Sequence, residues 1–438
     1  MRSPKRRRNT TAAALLSLAL AVPLGAQALA APGPDNRPDA PTVDAPAARS
    51  YEVLGISTQG QRTALTAHGA AIDAVDDHSV TVTADRATAE TLRGLGYHLT
   101  EPVAAAAGDA IASAPSEYTS YAEAMETIEA AATQYPDLVS TEVIGTSHEG
   151  RDIVAVKVSS EAAVDRDKPE VLFTHNMHGR EHLTTEMALY TLAELTSGYG
   201  TDTRVTELLD ERELWIIPIV NPDGKAHDMD SGQFRMWRKN REPDSGSSAI
   251  GTDLNRNFAH QWGCCGGSST NPGSETYRGH GPESAKETQV IADFVRGRVV
   301  DGEQQITAHI DFHTYSELIL WPYGYTYDDT APGLTQDDRD AFAAVGEAMA
   351  DSNGYRPQQS SDLYVTDGSV NDWMWADQGI FSYTFEMYPR SASGGGFYPP
   401  GSVIDRETSR NREAVLILME NADCMYRSIG KKSEYCAA

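Results

Sequence analysis

Positive charge is scarce in this sequence. Lys and Arg total 36 against 63 Asp and Glu, a formal net charge of −27 over 438 residues. Such a surface repels polyanions, which excludes nucleic acid as a main partner. Five of the cations, Arg2, Lys5, Arg6, Arg7 and Arg8, are confined to the first eight residues, and no acid precedes Asp35. Long apolar runs are missing too. The stretch Ala12 to Val22 is short of the roughly 20 residues that span a bilayer, and Pro23 and Gly25 interrupt its continuation. A basic start, a short apolar stretch and then Ala28-Leu29-Ala30 instead spell a secretory signal cleaved near Ala31. The protein is therefore expected to be exported, without a membrane anchor. Cysteine is also rare, with only Cys264, Cys265, Cys424 and Cys436. An even number in an exported chain implies two disulfides. The sequence leaves open whether Cys264 pairs with Cys265 and Cys424 with Cys436, or the two groups cross-pair.

What is present suits a folded protein: 40% hydrophobic residues and length for more than one domain. Residues 31 to 48 are rich in Pro, Ala and Asp and read as an extended leader. A small α+β unit follows, up to about Thr100. Its strands are Tyr51 to Ile56, the alternating Ser79 to Thr83 and a closing Gly96 to Leu99, with a helix at Ala84 to Leu95. An Ala-, Gly- and Ser-rich connection from Ala104 is suited to cleavage. From near Ser116, helices and strands alternate. Helices fit Tyr118 to Tyr135, Glu181 to Leu195, Glu283 to Val295, Asp337 to Ala350 and Arg410 to Asn421. Strands fit Ile153 to Val158, Val171 to Thr174, Leu214 to Val220, Gln305 to Phe312 and Phe381 to Glu386. That order predicts an α/β domain whose central twisted, mixed β-sheet is flanked by helices on both faces.

Chemistry concentrates just after the Val171 to Thr174 strand, in His178-Gly179-Arg180-Glu181. Open α/β sheets place ligands at the carboxyl ends of strands. His and Glu three residues apart around a turn can share one zinc, and a catalytic zinc takes its third protein ligand from far along the chain. His313, closing the Gln305 to Phe312 strand, is the natural distant ligand. His178 to His182 also match H-x-x-E-H, with both histidines as ligands and Glu181 as base. That reading needs one continuous helix, which Gly179 directly behind a strand disfavours. Four more segments stand out. Phe234 to Arg241 gathers cations in an acidic chain, and Gly251 to Phe258 sets Asn255 beside Arg256. Leu363 to Trp373, around Tyr364, has the composition of a loop, and Phe381 to Met387 brings an apolar strand to Glu386. Taken singly, each also has an innocent reading, such as an Arg paired with a surplus acid or a solvated Glu at a strand end.

Together and in this order, these segments resemble the zinc carboxypeptidase family, the metallocarboxypeptidases typified by carboxypeptidase A, and most closely its secreted bacterial branch, carboxypeptidase T. The resemblance runs from about Ser116 to the C-terminus. It includes Trp262-Gly263-Cys264-Cys265-Gly266-Gly267, Ser274 to Arg278, His313 to Leu320 and Tyr383 to Met387. It implies zinc held by His178, Glu181 and His313, with His182 a helix residue. It implies that Glu386 is the general base, that Arg238 faces the oxyanion, and that Asn255 and Arg256 hold the substrate's terminal carboxylate. Tyr364 then closes over that carboxylate, and Arg180 is a secondary contact. The implied organisation is a signal peptide over 1–30, a cleft-shielding propeptide with linker over 31–112 and a catalytic domain over 113–438. We expect a monomer acting on peptide and protein C-termini. In the carboxypeptidase T branch an acid in the pocket helps accept basic side chains. This chain has Ser369 there and Asn371 deeper, with Asp367 assigned to the turn, so neutral hydrophobic C-terminal residues are expected over Arg and Lys. The same branch implies a calcium site at Ser116, Tyr118 and Glu123. A peptide-binding protein without activity would lack Glu386 or a ligand, and an endopeptidase would lack Asn255 and Arg256; all are present.

Overall fold

The computed structural model describes residues 48–100 and 117–436. The expected signal, the linker and Ser116 lie outside them. Among the described residues no helix is long and apolar enough to cross a membrane.

The first unit contains β1 (Arg49–Leu54), α1 (Gln59–Ala67), β2 (Ala71–Val75), β3 (Ser79–Ala84), α2 (Arg86–Gly94) and β4 (His98–Leu99). Its antiparallel sheet has the order β2-β3-β1-β4. Val53, Leu65, Val80, Val82 and Leu92 form a small core under the two helices. The sequence reading found α2 and the other three strands but missed α1 and β2. The signal for α1 was local, since Thr58 and Gln61 form a reciprocal capping box at its start.

The second unit opens with α3 (Tyr121–Gln134), β5 (Val139–Thr146), β6 (Asp152–Val158) and β7 (Glu170–His175). It continues with α4 (His182–Gly198), α5 (Thr203–Glu211), β8 (Glu213–Ile217), α6 (Pro222–Met229) and α7 (Lys286–Gly297). A short hairpin, β9 (Val299–Val300) and β10 (Glu303–Gln304), precedes β11 (Ile306–Thr314), β12 (Leu318–Trp321), α8 (Gln336–Asn353) and β13 (Arg356–Gln359). Then come α9 (Ser360–Leu363), α10 (Val370–Gln378), β14 (Phe381–Met387), α11 (Ile404–Ser409), α12 (Arg412–Asn421) and α13 (Lys432–Tyr435). The eight-stranded sheet runs β13-β12-β14-β11-β7-β8-β6-β5. Its centre, β14, β11, β7 and β8, is parallel, and β6 and β12 join it antiparallel. This is the mixed sheet the alternation predicted. Leu363 to Trp373 departs from the expected loop: α9 ends at Leu363, and α10 begins at Val370 with Ser369 as its N-cap, accepting from the Asp372 N–H. Asn371 therefore sits in the first turn of a helix. The disulfides join the adjacent Cys264 and Cys265, and Cys424 to Cys436.

Helices cover both faces, so the central strands are buried on both sides. Phe173, Ile310, Phe312, Tyr383 and Phe385 share one core with Met187 of α4, Phe342 of α8 and Leu416 of α12. Leu172, Trp215 and Ile306 share the other with Ile291 of α7 and Met374 of α10. On that second face three strands turn polar. Thr174 on β7, His309, Asp311 and His313 on β11, and Ser382, Thr384 and Glu386 on β14 alternate with the apolar residues of the first core. The register sets His313 opposite Glu386, and Asp311 opposite both Thr384 and Thr174.

Gly179, between the strand end and α4, packs on the first turn of α6. A Cβ there would lie 2.5 Å from the carbonyl carbon of Gly224 and 2.6 Å from its oxygen. Backbone cannot swing aside, so Gly179→Ala should cost about 1–3 kcal/mol of stability in urea unfolding, the usual range for overpacking. Gly60→Ala, where nothing lies within 4 Å, should not destabilise.

Candidate functional site

The chain leaves β7 through a turn rather than a helix. Asn176 has φ 51°, a value Asn tolerates, and its side-chain NH2 donates to the carbonyls of His178 and Glu181 at 3.1 and 3.3 Å. The turn aims His178 and Glu181 inward and starts α4 at His182. His182 then points elsewhere, with Nε2 2.8 Å from Asp228 and Nδ1 3.1 Å from Lys225 Nζ. It is outside the metal-competent group.

That group is His178, Glu181 and His313, whose ligand atoms all lie within 4.8 Å of one another. Glu181 Oε1 is 2.9 Å from His178 Nδ1, its Oε2 is 2.9 Å from His313 Nδ1, and the two Nδ1 atoms are 3.1 Å apart. The outer nitrogens face carboxylates: His178 Nε2 is 3.1 Å from Asp253, and His313 Nε2 is 2.5 Å from Asp311. A proton held on each Nε2 leaves both Nδ1 lone pairs directed at one point. Burial alone would lower the His313 pKa, but Asp311 and Glu181 raise it well above the usual value, so the site favours positive charge. Burial would raise Glu181, yet His178 and His313 hold it below the usual range. Two imidazoles, one carboxylate and a field that attracts a cation fit zinc.

Arg238, Asn255, Arg256, Tyr364, Ser369, Asn371 and Glu386 line the same cavity as these three. Arg238 donates from Nε and Nη2 to Asp253 at 3.1 and 3.0 Å, so one buried carboxylate orients both a zinc-side imidazole and this guanidinium. Burial would lower the Arg238 pKa; Asp253 and Glu181 raise it instead, keeping it charged. Arg256 donates to the carbonyls of Asn255 and Gly267 at 2.7 and 3.0 Å. Burial pushes the Glu386 carboxyl up to about 8, with His313 opposing and Glu181 adding. Asn371 donates to Thr384 Oγ1 at 2.6 Å, and Thr384 and Leu320 line the same cavity. Asp367 is turned away, accepting from the N–H groups of Cys265 and Gly267 at 3.2 and 2.9 Å and from the Ser268 hydroxyl. Glu123 closes a capping box with Ser120 at the start of α3, and Tyr118 donates to the Pro399 carbonyl.

Arg180 is the expected site residue that does not line the cavity. It is fully buried, 3.1 Å from Asp73 of the first unit and 3.4 Å from Glu275, with its guanidinium 4.1 Å from the Phe397 ring centre. Asp73 and Ile72 line the cavity themselves. Arg62 of α1 donates to the carbonyls of Asp362 and Leu363, and the Val365 N–H donates to Thr63, so the segment carrying Tyr364 is held from both sides. The sequence reading missed Asp253, Asp311, Leu320 and Thr384. Asp311 had a signal, lying two residues before His313 on one face of the same strand. Ile72 and Asp73 had none, since β2 went unrecognised.

A buried His-Glu-His set beside a further acid, Glu386, at the carboxyl ends of a helix-covered sheet, defines the class as zinc-dependent hydrolase. Residues 124–414 match the zinc carboxypeptidase family. The chain is 45% identical over 450 aligned residues to the zinc carboxypeptidase of Saccharothrix mutabilis subsp. capreolus, covering 98% of this chain and 99% of that one. It is 37% identical to human carboxypeptidase B over 64% of this chain and 65% of that one. The crystal structure of thrombin activatable fibrinolysis inhibitor superposes with a TM-score of 0.68 at 26% identity, covering 86% of this chain and 98% of that one. The chain belongs to the zinc carboxypeptidase family and is a metallocarboxypeptidase.

His313→Ala should remove the distant ligand and its contact with Asp311. We expect no zinc retained per chain after dialysis and no hydrolysis, while chelated wild-type protein recovers activity on adding zinc. Full activity of the variant would displace His313 from the site.

Proposed function

We propose that this protein is a secreted exopeptidase, made as an inactive precursor, that removes neutral hydrophobic residues from peptide and protein C-termini. The observation that carries the reading is one cavity lined by the His-Glu-His set, Glu386 and Arg256 together with the uncharged, mutually bonded Asn371 and Thr384. His178, Glu181 and His313 would hold zinc, which when bound would supply Lewis acidity toward the scissile carbonyl and the attacking water. Glu386 accepts a proton from the attacking water and passes it to the leaving amine, a role suited to an acid whose pKa lies near neutrality. Arg238, fixed by Asp253, meets the charge that develops on the carbonyl oxygen. Asn255 and Arg256 bind the free carboxylate, so that only the last peptide bond reaches the reacting groups, and Tyr364 closes over it.

The precursor role rests on the first unit. It puts Ile72 and Asp73 into the cavity and holds the Tyr364 segment through Arg62 and Thr63. Cleavage between Asp109 and Ser116 would release it. A calcium ion near Tyr118 and Glu123 is a lesser part of the reading, supported by the resemblance alone; adding calcium to a stripped sample should raise Tm.

Two measurements test the proposal. Glu386→Gln should keep fold and zinc but lose at least about a hundredfold in turnover, the low end for general acid–base catalysis. Matched peptides ending in Phe, Leu, Arg and Lys should be compared on the full chain and on a form starting near Ser116. The shorter form should be much faster, and Phe and Leu ends should exceed Arg and Lys in kcat/KM by at least about tenfold, because an unpaired buried cation costs several kcal/mol. Equal rates for the two forms would remove the precursor role, and equal cleavage of Arg ends would remove the neutral pocket.

A further inference from the structure

The polar stripe on the second sheet face is continuous from the pocket floor to the zinc-binding histidine. Asp311 meets His313 Nε2 through Oδ2 and accepts from the Thr174 hydroxyl through Oδ1 at 2.6 Å. Thr174 Oγ1 is also 2.9 Å from His309 Nε2. A carboxylate can only accept, so the single Thr174 proton goes to Asp311 and His309 donates to Thr174. His309 Nδ1, left as an acceptor, is 2.7 Å from Ser382 Oγ, and Ser382 Oγ is 2.8 Å from the side-chain oxygen of Asn371; the single Ser382 proton serves one of these two acceptors at a time. Thr174, His309, Asp311 and Ser382 are all fully buried. Each sits where a helix-covered parallel strand would ordinarily carry an apolar residue, at the cost of desolvating a polar group. Neither catalysis nor substrate binding as described above uses His309, Thr174 or Ser382.

We propose that Thr174, His309, Asp311 and Ser382 are positioning residues that tie the side-chain pocket at Asn371 to the zinc ligand His313. Thr174 fixes the rotation of the Asp311 carboxylate, so that its other oxygen stays on His313 Nε2 and holds the imidazole with Nδ1 toward the metal. His309 fixes the Thr174 hydroxyl, and Ser382 sits between the His309 ring and the Asn371 amide, its one proton shared between them in turn. A break anywhere along the chain loosens both ends. The inference rests on the zinc site and pocket of the proposed function.

Thr174→Val removes the hydroxyl and keeps the shape, and Thr174→Ser restores the hydroxyl. Zinc affinity is read by titrating the metal-free full-length protein against a chromogenic chelator, with no substrate present. Partners that orient a metal ligand are typically worth 10–100-fold in metal affinity, so Thr174→Val should weaken zinc binding at least about tenfold. Thr174→Ser should stay within about twofold. Ser382→Ala, at the pocket end and touching no zinc ligand, should weaken zinc binding about threefold or more, within the range of couplings carried through packed networks. It also serves if Thr174→Val does not fold. In the cleaved form, Thr174→Val should shift the Phe-to-Leu ratio of kcat/KM about threefold. Zinc affinity unchanged in Ser382→Ala, weakened equally in Thr174→Ser, or weakened in Thr174→Val with an unmoved ratio overturns the tie. A failure of the peptidase reading shows in the unsubstituted chain, whereas a failure of the tie shows only in the variants.

Discussion

The register of three parallel strands is the constraint on which the site depends. β11 meets β14 with His313 opposite Glu386 and meets β7 with Asp311 opposite Thr174. Strand side chains alternate, so a slip of one residue would send an entire strand's set to the other face. The opposite face forbids it. Ile310, Phe312, Tyr383 and Phe385 are fully buried there against α4, α8 and α12. Burying one such side chain is worth about 1.5–3 kcal/mol, so the four together come to about 6–12 kcal/mol. That is comparable with the whole stability of a typical domain, about 5–15 kcal/mol. The apolar residues thus hold the geometry of the polar ones, and the site inherits its precision from a core it does not touch.

The site collects four acids, Glu181, Asp253, Asp311 and Glu386, and their surroundings sort them into roles. Asp253 is shared by His178 and Arg238, Asp311 by Thr174 and His313, and Glu181 by both histidines. Each has charged or hydrogen-bonding partners that offset its burial, and each is held below the ordinary carboxylate range. Among the described residues none donates a side-chain hydrogen bond to Glu386, and burial pushes it up to about 8. Carboxylates with hydrogen-bonding partners orient cations; in the reading proposed above, the one without a side-chain hydrogen bond is left able to exchange a proton near neutral pH. Separating acids by environment in this way is how one site can contain both fixed charge and a base.

Local chemistry made part of this legible in the sequence. His178 and Glu181 share a turn, His313 ends a strand, and the alternation of helices and strands gave the layered sheet. Tertiary pairing hid the rest. Asp253 and Asp311 look like ordinary acids until register and turn put them behind the imidazoles. Thr384 and Leu320 enter the pocket only because β14 lies between β11 and β12. The helix beginning at Val370 was obscured by Gly368 and Ser369, which read as loop residues although Ser369 is an N-cap. The cysteine pairing turned on distances in space that no spacing reveals.

The contact between the two units follows from where the cations lie. In the reading proposed above, the first unit blocks the cleft, and an obvious way to do so would be to offer a carboxylate to Arg256. It does not. Asp73 reaches Arg180, while Arg256 donates to the carbonyls of Gly267 and Asn255. The Asp73–Arg180 pair is a weak handle besides, because burial raises Asp73 to about 6 despite the facing guanidinium. Desolvation of Asp73 outweighs its Coulomb gain from Arg180, as buried pairs often show. The firmer attachments are neutral or one-sided: Arg62 to two backbone carbonyls, Thr63 to the Val365 N–H, Ser316 to the Asp73 carbonyl and Ser274 to the Gly69 carbonyl. Most of them grip backbone of the segment carrying Tyr364. In that reading the first unit acts on the element that closes over a substrate and leaves the carboxylate clamp assembled, so Asn255 and Arg256 would need no rebuilding once the unit is gone.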